Sequence, residues 1–214
     1  MSTIHLPSSL GSLYPKLDIN VLEQSLNIFG LTNIEVAEAF IAQCAHESGG
    51  FSRFTENLNY SADSLAKTWK RFRNADGSPN DLAKSIARNP HEIANAVYNN
   101  RMGNRPDSDD GWNYRGRGAI QITGRDNYNA VSKVMAQYGV IENPENIMAS
   151  PDYLAEYPYC LYSACAFWVM NNLSRYVGDF TTLTRKINGG TVGIEDRKKQ
   201  LSKVKACFAD LEQF

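Results

Sequence analysis

Two carboxylates stand nine residues apart early in the chain: Glu47 in His46-Glu47-Ser48-Gly49-Gly50, and Glu56 in Phe54-Thr55-Glu56-Asn57-Leu58-Asn59-Tyr60. Glu47 ends a run whose apolar residues recur at helical spacing. The negative end of a helix dipole disfavours another negative charge there, and apolar neighbours act the same way. Both effects suit a group that must hold a proton near neutral pH and deliver it as a general acid. The two glycines let the chain fold back and set Glu56 across a cleft. Hydrolysis of a glycosidic bond commonly needs two carboxylates, one to protonate the leaving oxygen and one to activate water or attack carbon. Taken singly, the plain readings are an exposed helix-end Glu47 and a solvated loop Glu56. His46 points elsewhere on the helix than its neighbour; it is either a core histidine or one that orients a neighbour through a hydrogen bond.

Two further stretches could face a ligand. Trp112-Asn113-Tyr114-Arg115-Gly116-Arg117-Gly118 has two glycines that permit close backbone approach. Tyr60, Trp112 and Tyr114 offer flat apolar faces with polar edges, which suit sugar rings and ordinary cores alike. Arg117 is either a substrate contact or half of an ion pair. Asn188, before Gly189-Gly190, either stops a helix or presents an amide to an N-acetyl group.

The elements that must position these groups are mostly helical. Asn33 can cap a helix with Ile34, Ala37, Phe40, Ile41, Cys44 and Ala45 at helical spacing, stopped by Gly49-Gly50. Ser61 or Asp63 begins a second helix, and shorter ones cover 81–88 and 91–98, split by Asn89-Pro90. Residues 102–118 read as a loop. Ala119-Ile120-Gln121-Ile122-Thr123 alternates apolar and polar, which predicts a short half-buried strand with Gln121 and Thr123 on one face. Asp126 should cap a helix that Gly139 ends, and Ser150-Pro151 should start another. Pro158 should precede an apolar helix over 159–170, and Asp179 cap one ending at Asn188-Gly189-Gly190. The last helix, from about Ile194, turns Leu201, Val204, Phe208 and Leu211 inward. The pattern predicts a mainly α fold with one small β element.

Composition sets the boundaries. The chain has 214 residues, 43% hydrophobic and 21% charged, which suits one well-packed soluble domain. A net charge of −1 announces no surface for nucleic acid. The four cysteines match no zinc or CxxC spacing, and as buried free thiols they point to a reducing compartment. No metal ligand set or cofactor motif stands out. The first fifteen residues lack the marks of a secretory signal, and no apolar run is long enough for membrane insertion.

The order of the motifs is more specific than any one of them. HESGG, then ENLNYS, then NYRGRGAIQITGRDNY, then KINGG resembles the family-19 glycoside hydrolases over about Phe40 to Gly190, and most of all the compact endolysins of bacteriophages that infect Gram-negative hosts. The resemblance implies a lysozyme-like, α-rich fold over 1–214 as a single catalytic domain, with a cleft between a larger and a smaller helical lobe. It implies that Glu47 is the general acid. It places Thr123 where the family's plant chitinases have a serine that holds the nucleophilic water, and Gln121 and Asn188 at cleft positions. In the plant chitinases the base lies farther along, in a longer segment that this chain lacks. The endolysin branch is similar to this chain here, with its Glu in the ENLNYS context, which points to Glu56 as the base; Asp63 is another carboxylate within reach in sequence. With Glu56 as base the reaction inverts, and it needs no metal or cofactor.

The function this implies is a muramidase that cuts between N-acetylmuramic acid and N-acetylglucosamine in peptidoglycan. A chitinase acting on poly-N-acetylglucosamine would use the same carboxylates. A lytic transglycosylase and a catalytically dead glycan-binding module are further readings, against which Glu56, Thr123 and an intact Glu47 motif speak. The partner expected is the peptidoglycan strand, met by a monomer without a separate wall-binding domain. Such a protein would gather in the host cytoplasm and reach the periplasmic wall once a separate pore-former opens the inner membrane.

Overall fold

A computed structural model describes residues 2–209. In chain order its helices are α1 (Ser9–Leu13), α2 (Ile19–Ile28), α3 (Ile34–Glu47), α4 (Ala62–Thr68), α5 (Asp81–Ile86), α6 (Pro90–Tyr98), α7 (Asp110–Asn113), α8 (Arg125–Gln137), α9 (Glu145–Ala149), α10 (Tyr159–Met170), α11 (Phe180–Asn188) and α12 (Ile194–Ala209). Among the described residues, β structure is limited to two isolated bridges, Arg73 with Pro79 and Arg117 with Ile122. The mainly α class read from the sequence is the class observed. No helix of the described residues is long and apolar enough to cross a membrane.

Helices begin where a side chain can take an orphan N–H. Asn33 Oδ1 accepts from Val36 N at 3.1 Å, Ser61 Oγ from Ser64 N at 3.1 Å, and Asp179 Oδ1 from Thr182 N at 3.0 Å. Asn89 caps α6 ahead of Pro90 in the same way.

The chain divides into two compact units. One contains the chain up to Phe54, Arg117–Ile122, and the chain from Tyr128 onward. Its centre is α3, where every residue from Val36 to Ala45 is buried. Phe40 meets Trp168 of α10 edge-on, ring centroids 5.4 Å apart. α12 packs along α3 and turns Val204 and Phe208 inward, with Leu201 half-buried; Leu211 lies outside the described residues. The four cysteines are free and buried here, and burial pushes the Cys160 thiol up to about 12.

The other unit contains Thr55–Gly116 and Thr123–Asn127. Leu58, Leu65, Phe72, Ile86, Ile93 and Val97 are the large side chains of its core. α6 and α7 touch at Gly111, where a Cβ would come within 2.6 Å of the Ala94 carbonyl oxygen. Asp110, 1% exposed, accepts from the Arg105 backbone N–H, Nε and Nη2 at 2.8–2.9 Å.

Three local expectations are corrected. The segment 102–118 contains α7, whose first residue Asp110 is held by Arg105. Asp126 lies inside α8: the helix starts at Arg125, whose N–H donates to Asn104 Oδ1 at 2.8 Å, and the Asp126 N–H donates to the Met102 carbonyl at 3.0 Å. Residues 119–123 form no strand. Arg117 and Ile122 exchange backbone hydrogen bonds of 3.0 and 2.8 Å, and the chain between them turns tightly through left-handed Gly118 and Gln121 (φ 81° and 59°). Such a turn buries Ala119, Ile120 and Ile122 and so imitates strand alternation over five residues.

The Arg105 hydrogen bond, ahead of other causes, holds the Asp110 carboxyl below its ordinary value of 3.8. A depressed carboxylate stabilises the fold above its unfolded pKa, and the contribution is lost as pH falls through the folded value. Asp110→Asn should therefore lower the urea midpoint at pH 7, and the gap to the native chain should close as the pH drops below 3.8. A gap that persists unchanged into acid would show that Asp110 acts by shape and not by charge.

Candidate functional site

Glu47 is the last residue of α3, as the glycine pair foretold. Past it, Ser48 Oγ donates to the Cys44 carbonyl at 2.6 Å and accepts from Phe51 N at 2.8 Å. Gly49, Gly50 and Phe51 are all left-handed (φ 60°, 72° and 60°). A left-handed Phe is strained, and here its ring is enclosed, 1% exposed, edge-on to Tyr14.

The Glu47 side chain is 18% exposed and pairs with Arg197 of α12: Arg197 Nη2 donates to Glu47 Oε1. Arg197 is 2% exposed. Its Nη1 donates to Gln43 Oε1 at 2.5 Å and its Nε to the Val192 carbonyl at 3.3 Å. Gln43 Nε2 in turn donates to Thr184 Oγ1 of α11 at 2.9 Å. A buried guanidinium keeps its charge and needs such acceptors. Beside this cluster His46 Nδ1 lies 2.6 Å from Asp196 Oδ2.

Glu56 belongs to the other unit and is held by it. Its N–H donates to the Gly116 carbonyl at 2.9 Å, and the Gly116 N–H donates back to Glu56 Oε1 at 2.6 Å. The Tyr98 hydroxyl donates to Oε2 at 2.8 Å. Both carboxylate oxygens are thus oriented by neutral donors. Burial, then the neighbouring Glu56 charge, raises the Tyr98 hydroxyl well above its ordinary value, so it stays a donor.

The other expected site residues fall into distinct settings. Trp112 is half-buried, with the Arg115 guanidinium 3.7 Å from its ring centroid and His91 at 5.5 Å. Tyr60 is half-buried, edge-on to Trp69 at 5.1 Å. Tyr114 is 7% exposed, its carbonyl accepting from Gly124 N. Asn188 is exposed at the end of α11. Gln121 Nε2 donates to the Gly118 carbonyl at 3.2 Å, and the Thr123 carbonyl accepts from Asn127 Nδ2 at 2.7 Å. With no strand between them, Gln121 and Thr123 do not share a strand face. Of the two readings of Arg117, the substrate contact is corrected and the ion pair is observed, as an internal strut. It is 1% exposed, with Nη2 on Asp152 Oδ1 at 2.5 Å and Nη1 on the Tyr128 hydroxyl at 2.9 Å.

Sequence reading missed Arg197, Gln43 and Tyr98. Arg197 had a signal: it lies four residues before Leu201 and seven before Val204, on the inward stripe of α12. An arginine on an apolar stripe asks for a buried acceptor. Gln43 had the same mark within an all-apolar turn of α3. Tyr98 had none, because it meets Glu56 across 42 residues of chain.

No family model matches the chain. A "Glycosyl hydrolase family 19 domain-containing protein" of Haemophilus influenzae is 42% identical over 172 residues, 79% of this chain and 78% of that protein. An endochitinase of Arabidopsis thaliana is 39% identical over 82 residues, 37% of this chain and 26% of that protein. Among solved structures, chitinase C of Streptomyces griseus aligns with a TM-score of 0.57 at 16% identity, over 95% of this chain and 91% of that one. A family GH19 class IV chitinase of Zea mays aligns at 0.51 and 18% identity, over 94% and 84%. At these identities the structural likenesses carry the fold alone, and that fold is the helical one of these chitinases.

Tyr98→Phe removes one donor from Glu56 and leaves Gly116 in place. Loss of a hydrogen bond to a charged group should cost about tenfold in glycan hydrolysis while the chain stays folded. Steady-state rates and circular dichroism check this; an unchanged rate would show that Tyr98 has no part in holding Glu56 for reaction.

Proposed function

The chain belongs to glycosyl hydrolase family 19, and from that premise we propose that it is an endolysin-type muramidase of phage character. It hydrolyses the β-1,4 bond between N-acetylmuramic acid and N-acetylglucosamine in peptidoglycan. The observation that carries the mechanism is the contrast between two carboxylates. Glu47, at a helix C-terminus with Arg197 on its Oε1, is the proposed acid: it protonates the leaving oxygen and is left as a carboxylate that Arg197 stabilises. Glu56, oriented by Tyr98 and Gly116, is the proposed base. A carboxylate offers roughly four lone-pair sites, so two donors leave room to accept a proton from the attacking water. Water attack on the face opposite the leaving group inverts the anomeric centre.

Peptidoglycan is favoured by the likeness of the ordered motifs to phage endolysins. Chitin hydrolysis is the second reading, supported by the endochitinase relatives and by the chitinase fold. Both use the same two carboxylates and differ in room for the lactyl-peptide branch.

Purified Gram-negative peptidoglycan and chitin oligomers should be digested in parallel, with Glu47→Gln as control, and the products weighed by mass spectrometry. The proposal expects borohydride-reducible muropeptides ending in N-acetylmuramic acid, from the native chain only. Glu47→Gln should lose at least about a hundredfold in rate with its folding intact. Cleavage of chitin alone would replace this reading by the second, 1,6-anhydro ends would mean a transglycosylase, and an active Glu47→Gln would remove the acid.

A further inference from the structure

The end of α3 and the start of α12 meet through two adjacent pairs. His46 and Glu47 face Asp196 and Arg197 in the same order. Successive helix residues project about 100° apart, so a small rotation or slide of α12 breaks both pairs. The Glu47–Arg197 pair is enclosed, whereas the Asp196 side chain is 50% exposed. An exposed pair of this kind adds little to stability. Its order comes from its surroundings. Gly193 is left-handed (φ 73°) and lies so close to the His46 imidazole that any Cβ there would overlap the ring. On its other side the Asp196 Oδ1 accepts from Gln200 Nε2 at 3.5 Å, and Gln200 Oε1 accepts from the Tyr14 hydroxyl at 2.9 Å. The hydrogen bond from His46 is the foremost cause holding the Asp196 carboxyl below its ordinary range.

We propose that His46 and Asp196 are positioning residues that set α12 on the end of α3, so that Arg197 presents its Nη2 edge to Glu47. This rests on the reading of Glu47 as the acid. With Asp196 accepting, the imidazole donates from Nδ1, and that fixes its tautomer. Arg197 has anchors of its own in Gln43 and the Val192 carbonyl. Losing the latch therefore leaves the guanidinium buried and the chain folded, while Nη2 loses its alignment on the carboxylate. The effect falls on turnover and spares binding.

The test compares Asp196→Ala, Asp196→Asn, His46→Ala and the double alanine variant in two measurements. The first is steady-state kinetics on whichever glycan the native chain cleaves. Each alanine variant should lower kcat about tenfold, the effect of one charge-assisted hydrogen bond, with KM within about twofold. Asp196→Asn, whose amide oxygen still accepts from Nδ1–H, should recover most of kcat. The double variant should be no slower than the slower single one, because both remove the same contact. The second measurement needs no substrate: the Glu47 side-chain carboxyl carbon signal in NMR should move in Asp196→Ala and return in Asp196→Asn. A kcat within twofold of native, a loss confined to KM, additive losses or no recovery by Asn would overturn the latch. So would a Glu47 signal that stays in place. A native chain inactive on every glycan overturns the proposed function instead, and the carboxyl signal then decides the latch alone.

Discussion

A buried guanidinium is the constraint on which the first unit depends. Arg197 cannot shed its proton, and a charge taken out of water must be met by acceptors or the fold loses several kcal/mol. It finds three: Gln43 Oε1, the Val192 carbonyl and Glu47 Oε1. Those acceptors come from α3 and from the turn before α12, and Gln43 is in turn tied to Thr184 of α11. One side chain thus links three helices and ends on the proposed acid. The same fact governs how Glu47 can be altered. An alanine there strands a buried positive charge, at a cost of about 3–5 kcal/mol, and would confuse instability with lost chemistry. Glutamine keeps an oxygen to accept from Arg197 while it removes the transferable proton and the carboxylate charge.

The second carboxylate is built on a different principle. Glu56 has neutral donors and a backbone partner, Gly116, that both gives to its side chain and takes from its main chain. Gly116 lies in the glycine-rich approach to the Arg117–Ile122 turn. A glycine there was expected to let a ligand come close; what its backbone N–H meets is the Glu56 carboxylate. The aromatic residues around it divide their work, Tyr98 giving its hydroxyl to Glu56 and Tyr60 packing on Trp69.

Most helix starts were legible, because a capping side chain acts within three residues of itself. Asn33, Ser61 and Asp179 cap as their positions suggested. Glu47 was legible for the same reason: the helix that carries it and the glycines that end it are local. What escaped is one local turn and several non-local contacts. The Arg117–Ile122 turn copies strand alternation because two left-handed residues bury the same side chains that a pleat would. Arg117 looked like a ligand contact because nothing near it in sequence revealed that Asp152 and Tyr128 would enclose it. Arg197 and Glu47 are 150 residues apart, and only the odd placement of an arginine on an inward stripe pointed to a partner. The ordered motifs held more than any local rule, since membership of family 19 follows from a relative spanning most of the chain.

The central claim is that Glu47 supplies the proton to the leaving oxygen, and its most direct test varies the leaving group. Native chain and Glu47→Gln should be compared on a soluble oligomer of whichever glycan the native chain cleaves and on the 2,4-dinitrophenyl glycoside of that oligomer, whose phenolate departs without a proton. If Glu47 is the acid, Glu47→Gln fails on the oligomer and retains most of the native rate on the dinitrophenyl glycoside. Equal loss on both would contradict the account, because the missing function could not then be proton delivery.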